Sequence, residues 1–314
     1  MTRGVLAVAL RTMVISGAVG TALFLVLITL AIDPQLRQDV MYGGGYRLFV
    51  SWGPAVAAGV LAGLLAVYFG RRRELDTRVR QALTTQPVHR QLVWLGCCLV
   101  ACVVAIAGLY WVLSALGPGA DASTTAPISL VPRVLFFLAL PAIAIDRLIT
   151  ILRAEGTGLS EIAMKVTEPW RWLGLTPVLL AIVLVSFLLA PFRVGWPPAV
   201  LVVGVLGVFL VAALCEEAFF RVMVQTRLEL LWGRWAGIIT TSLLFALFYA
   251  LIQPYLVLIP LPGDTFVHHL GMALLIYTPI GLLCGYLWAC YRNIWLNTLL
   301  RTGLFLLAYP PPGQ

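Results

Sequence analysis

The chain has 314 residues, 61% of them hydrophobic and only 11% charged, with a formal net charge of +8. Soluble domains are about 45–50% apolar and about 25% charged, so this composition excludes a water-solvated globule. The positive charge does not point to nucleic acid, because the basic residues sit in short segments between apolar runs, where membrane proteins carry them against an anionic leaflet.

Apolar runs bounded by charges, Pro or Gly predict an all-α, polytopic transmembrane bundle of about nine helices. They lie near 12–32, 49–70, 91–116, 129–152, 173–191, 198–220, 236–253, 270–290 and 294–309. At about 20 residues per crossing, the spans use up the chain and leave no room for a separate soluble domain. We divide it into 1–172, the N-terminal helices with a basic loop, and 173–314. The first run follows Arg3 and Arg11, exceeds a signal-peptide core in length and lacks a clear cleavage site, so it is expected to remain as a span.

The loop 71–90 carries Arg71, Arg72, Arg73, Arg78, Arg80 and Arg90, whereas 117–126 has no basic residue. The positive-inside rule then puts 71–90 in the cytoplasm and predicts a cell-membrane protein with its N-terminus inside and its C-terminus outside. Arg153, Lys165, Arg171, Arg227, Arg234 and Arg292 fall on the same inner side, while Arg37, Arg47 and Arg193 are exceptions. In the loop 153–172, Ile162, Ala163 and Val166 lie near helical spacing and predict a short interfacial helix. The pairs Gly59 with Gly63 and Gly281 with Gly285 predict close helix packing.

Cys97, Cys98 and Cys102 cluster in one apolar run, but no His or carboxylate joins them, so neither a metal nor a cofactor is expected. No Gly-x-Ser-x-Gly elbow, phosphate-cradling loop or His-Glu-x-x-His pattern occurs, which argues against serine-type and zinc-type hydrolysis.

Ionisable groups at membrane depth are costly and need a partner or a function. The densest cluster is Cys215-Glu216-Glu217-Ala218-Phe219-Phe220-Arg221, predicted to occupy the last turns of the sixth helix. Glu217 and Arg221 are four apart and can pair along one face. Glu216 is rotated by about 100° and looks elsewhere, which leaves it open to a cavity as a general base or, alternatively, to an ordinary salt bridge.

Glu-Glu-x-x-x-Arg within an apolar helix resembles the first motif of the CPBP family, the CAAX-processing and bacteriocin-processing intramembrane proteases. The resemblance covers roughly 175–310 and implies a helical membrane fold with a glutamate-based endopeptidase site acting on a membrane-anchored protein or peptide. The family's second motif is Phe-x-x-x-His, and Phe245-Ala-Leu-Phe-Tyr249 has that spacing with Tyr in place of His. Its third motif is a His followed four residues later by Asn or Asp, and the matching positions are Arg301 and Phe305.

By that resemblance Glu216 would be the base, Glu217 with Arg221 the orienting pair, Tyr249 a donor to water or oxyanion, and Arg301 an oxyanion clamp. The competing reading makes Arg301 the partner of Glu216 in a structural bridge. A non-catalytic protein binding a transmembrane segment, and less so a permease, stand as other functions. His268 and His269 follow Pro260, Pro262 and Gly263 and are read as outer-surface or interfacial residues. Arg133, Asp146 and Arg147 are read as snorkelling groups rather than as the lining of a polar cavity.

Overall fold

The computed structural model describes residues 2–70, 72–83, 87–116, 128–144, 159–192, 199–255, 261 and 263–308. Among them every apolar run of the sequence is helical. Long helices α1 (Thr2–Ile32) and α2 (Pro34–Phe69) are followed by amphipathic α3 (Arg72–Leu83) and by α4 (Val88–Leu116). Next comes α5 (Leu130–Arg133), which continues as a π-helical stretch over Val134–Ala139. Short α6 (Leu159–Met164), a 3₁₀ turn over Pro169–Gly174 and α7 (Leu175–Leu189) follow.

The C-terminal part holds α8 (Ala199–Glu217), a π-helical segment Ala218–Gln225, α9 (Thr226–Trp232), α10 (Arg234–Ile252), α11 (Phe266–Tyr291) and α12 (Ile294–Ala308). Seven helices among the described residues are long and apolar enough to cross a membrane, while Leu130–Ala144 and Ile294–Ala308 are shorter. Asp146 and Arg147 lie outside the described residues.

The outside of the bundle is greasy, and its largely apolar inside also holds charges. Val67, Phe187 and Val203 are 70% or more exposed, whereas Arg133, Arg171, Arg221, Arg227 and Arg301 are 1% or less exposed. Lipid as the surrounding solvent accounts for the first, and the need to pair every charge at membrane depth accounts for the second.

The central pair is α10 against α11, with α1 and α2 flanking it, α7 against α2 and α12, and α8 against α12. The α10–α11 approach relies on small residues. A Cβ on Gly281 would sit 3.0 Å from Ser242 Cβ, and one on Gly285 3.1 Å from Ile238 Cγ2. Gly63 meets Tyr286 in the same way, but Gly59 has open space before it, so the expected close packing fails there.

A second device ties α2 to α11. Pro279 has no N–H to give to the carbonyl of Leu275, and that carbonyl instead accepts from Trp52 Nε1 at 3.1 Å and Ser51 Oγ at 3.2 Å.

The starts of α2 and α11 meet at one end of the bundle. Asp33 caps α2 by accepting from the Leu36 amide at 2.9 Å, and that bond holds its carboxyl below the ordinary carboxylate range. The two ring nitrogens of His268 lie 3.3 Å from Asp33 and Asp39, and His269 Nε2 lies 2.6 Å from the Gly263 carbonyl. Both histidines are buried, at 1% and 7% exposure, which corrects the outer-surface reading. The reason is that the start of α11 packs beneath the α1–α2 corner. In the stretch 153–172, α6 forms where a short helix is predicted, and its Ile162 and Ala163 are buried.

Candidate active site

Glu216 and Glu217 close α8, but the helical path does not end with them. It continues through the π-helical segment into α9, so the span runs Val203–Trp232 and places Glu216 near its middle. This corrects the expected position in the last turns of the helix. The charges that signal a helix end in the sequence are buried here with partners. Arg227 Nε donates to Gln91 Oε1 at 2.7 Å and its Nη1 to the Met223 carbonyl at 2.8 Å. The wider π register is capped by Thr226, whose hydroxyl donates to the Arg221 carbonyl five residues back at 3.0 Å and accepts from Trp288 Nε1 at 3.1 Å. π-helical departures inside α-helices recur at functional sites.

All five residues singled out from the sequence converge. Arg221 Nε lies 3.2 Å from Glu217 Oε2, as the spacing of four residues predicts. Arg301, from α12, bridges both carboxylates, with Nη2 at 2.5 Å from Glu216 Oε2 and Nη1 at 3.1 Å from Glu217 Oε1. Tyr249, from α10, donates to Glu216 at 2.8 Å and accepts from Arg301 Nη2 at 2.8 Å.

A sixth member joins from outside this set. Arg133, from α5, donates through Nε to Glu216 Oε1 at 2.9 Å and through Nη1 to the Ser129 carbonyl at 2.8 Å. The snorkelling reading of Arg133 is therefore corrected, because its side chain is fully buried and turns inward to a carboxylate. The signal in the sequence was a lone charge within an apolar run, but its partner lies 83 residues away and could not be read off.

Glu216 does not face an open cavity. Its side chain is 0% exposed and both of its oxygens receive donors. Three guanidiniums face two carboxylates, which leaves one positive charge in excess. Aromatic rings spread that charge. The Arg301 guanidinium carbon lies 4.5 Å from the Phe245 ring centre and 4.6 Å from that of Phe305, and Arg221 lies 5.5 Å from Phe245. Tyr277 stacks on Tyr249 at 4.0 Å, and Phe137 stacks on Phe219 at 4.4 Å. Phe245 and Phe305, at the motif positions noted above, thus form the two faces of a slot for Arg301.

Among the described residues no group of three or more His, Cys, Asp or Glu is placed to hold a metal ion. The chemistry the site can offer is that of carboxylates, guanidiniums and one phenol. No curated protein and no solved structure matches the chain. Residues 196–304 match the family model described as type II CAAX prenyl endopeptidase, Rce1-like. That stretch contains Glu216, Glu217, Arg221, Tyr249 and Arg301, and with it the chain carries a region of the CPBP family, the Rce1-like CAAX prenyl endopeptidases.

Proposed function

We propose that this membrane protein is a non-proteolytic member of the CPBP family, which retains the family's glutamate pair as a structural ion network and binds a membrane-anchored segment without cutting it. The observation that carries this reading is the grip on Glu216. A general base must hold a lone pair toward a water that sits beside the scissile carbonyl. Here Arg133, Arg301 and Tyr249 occupy both oxygens, and the side chain is sealed from solvent.

The positions where the family places imidazoles hold Tyr249 and Arg301, a neutral phenol and a permanently charged guanidinium, and neither takes up and releases a proton near neutral pH as His does. Binding is the part of the family's activity that needs no such relay. We place the chain in the cell membrane, with the Arg-rich stretch 71–90, and so the N-terminus, on the cytoplasmic side and the C-terminus outside.

The deciding experiment maps membrane-protein termini by mass spectrometry in cells lacking this protein, complemented at matched level with wild type or Glu216→Ala. Termini identical in the deletion and both complemented strains support the non-proteolytic reading. A product restored by wild type and missing with Glu216→Ala would establish glutamate-dependent cleavage and overturn it.

A further inference from the structure

A cavity of about 620 Å³ opens where α9 and α11 end and α10 begins, with α3 lying across them. Its polar wall is made of Asp76, Arg80, Glu229, Arg234 and Arg292. Arg234 lies 2.7 Å from Asp76, and Arg292 pairs with Asp76 and Glu229 through one terminal nitrogen. The other two nitrogens of Arg292, Nε and Nη1, are buried with no protein partner, and the side chain is only 4% exposed. One turn before Asp76, two of the three guanidinium nitrogens of Arg72 are likewise buried and unpartnered.

Arg234 and Arg292 match Asp76 and Glu229 on the wall, and Arg72, with its unpartnered nitrogens, leaves a positive excess. Buried N–H groups without acceptors are costly, and an anion is what would satisfy them. Val79, Leu83, Val88 and Leu230 supply an apolar floor beside the polar wall.

We propose that this cavity binds a phosphate-bearing anion. Guanidiniums converging from α3, the α9–α10 turn and the α11–α12 turn suit a tetrahedral group with several acceptor oxygens better than a planar carboxylate, which a single Arg can satisfy. The cavity is larger than one ion needs and fits a headgroup. It also lies at the terminal residues of three spans, Trp232, Arg234 and Tyr291, which is the level of lipid phosphates. The inference is independent of whether Glu216 cleaves anything.

The test uses the full chain, purified in detergent with equal phosphatidylglycerol and phosphatidylcholine and read by native mass spectrometry, alongside thermal unfolding in inorganic phosphate. Wild type should retain phosphatidylglycerol in excess. Arg80→Gln, an exposed change on α3, and Arg234→Gln should each lower that excess by about fivefold. A raised unfolding midpoint in phosphate, weakened by the same variants and without lipid preference, would uphold the site and assign it to a free phosphate compound. Equal retention of the two lipids with no response to phosphate would overturn the proposal. So would a lipid preference or a phosphate response that both variants leave unchanged.

Discussion

Removing Glu216 and removing Arg301 have unequal consequences, because the network carries three positive and two negative charges. Glu216→Gln leaves Arg133, Arg221 and Arg301 facing Glu217 alone. Stripping one partner from a buried pair costs about 3–5 kcal/mol, and that loss is expected here. Arg301→Met leaves Arg133 on Glu216 and Arg221 on Glu217, a balanced set, so it should cost less even though it gives up the cation–π slot. The double variant should be more stable than the sum of the single losses implies. Unfolding midpoints of the purified variants in one detergent decide this, and unchanged stability in Glu216→Gln would show that the carboxylate holds nothing together. The glutamates, Arg221, Tyr249 and Arg301 were legible as one site because the resemblance to the three CPBP motifs lines them up. Arg133 was not, since nothing local in Val131-Pro132-Arg133-Val134 says which of the later helices it meets.

At the scale of elements, apolar runs find the spans but not amphipathic α3, which forms within the stretch read as a loop, and they misjudge where α8 stops. Arg227 reads as part of the inner-side turn, whereas it is held inside the protein by Gln91. The break falls at Gly233, where φ of 89° suits a residue without a Cβ. Small residues at helix crossings were visible, yet only the packed partner tells which of them matter. Gly281→Val must push against the backbone of Ser242, 3.1 Å from its Cβ position, and is expected to cost about 1–3 kcal/mol. Gly59→Val enters open space and should leave the stability within about 0.5 kcal/mol of wild type. A thermal-unfolding comparison of the two variants checks both expectations, and equal losses would contradict the assigned α10–α11 contact.

For the whole molecule, the fold class was plain from hydropathy, because a chain this apolar has few ways to satisfy its backbone except as a helical bundle in lipid. What hydropathy could not give is the closing of that bundle on itself. The buried charges meet across long stretches of chain, and packing rather than local pattern decides their partners. Arg133 is where this matters most, since it ties the first half of the chain to the second.

That tie has a history during synthesis. Arg133 emerges 83 residues before the carboxylate that neutralises it. At about 5–20 residues per second the wait is roughly 4–17 s. An arginine at the centre of a span resists insertion by about 2.5–3.5 kcal/mol, and Arg133, the fourth residue of Leu130–Ala144, bears part of that cost. The helix that carries it should linger at the insertion machinery until Glu216 arrives. Ribosome-stalled chains ending before residue 216 should then leave this helix extractable by alkali, and chains extending past α8 should not. Equal resistance to extraction at both lengths would mean that the early arginine finds shelter without its partner.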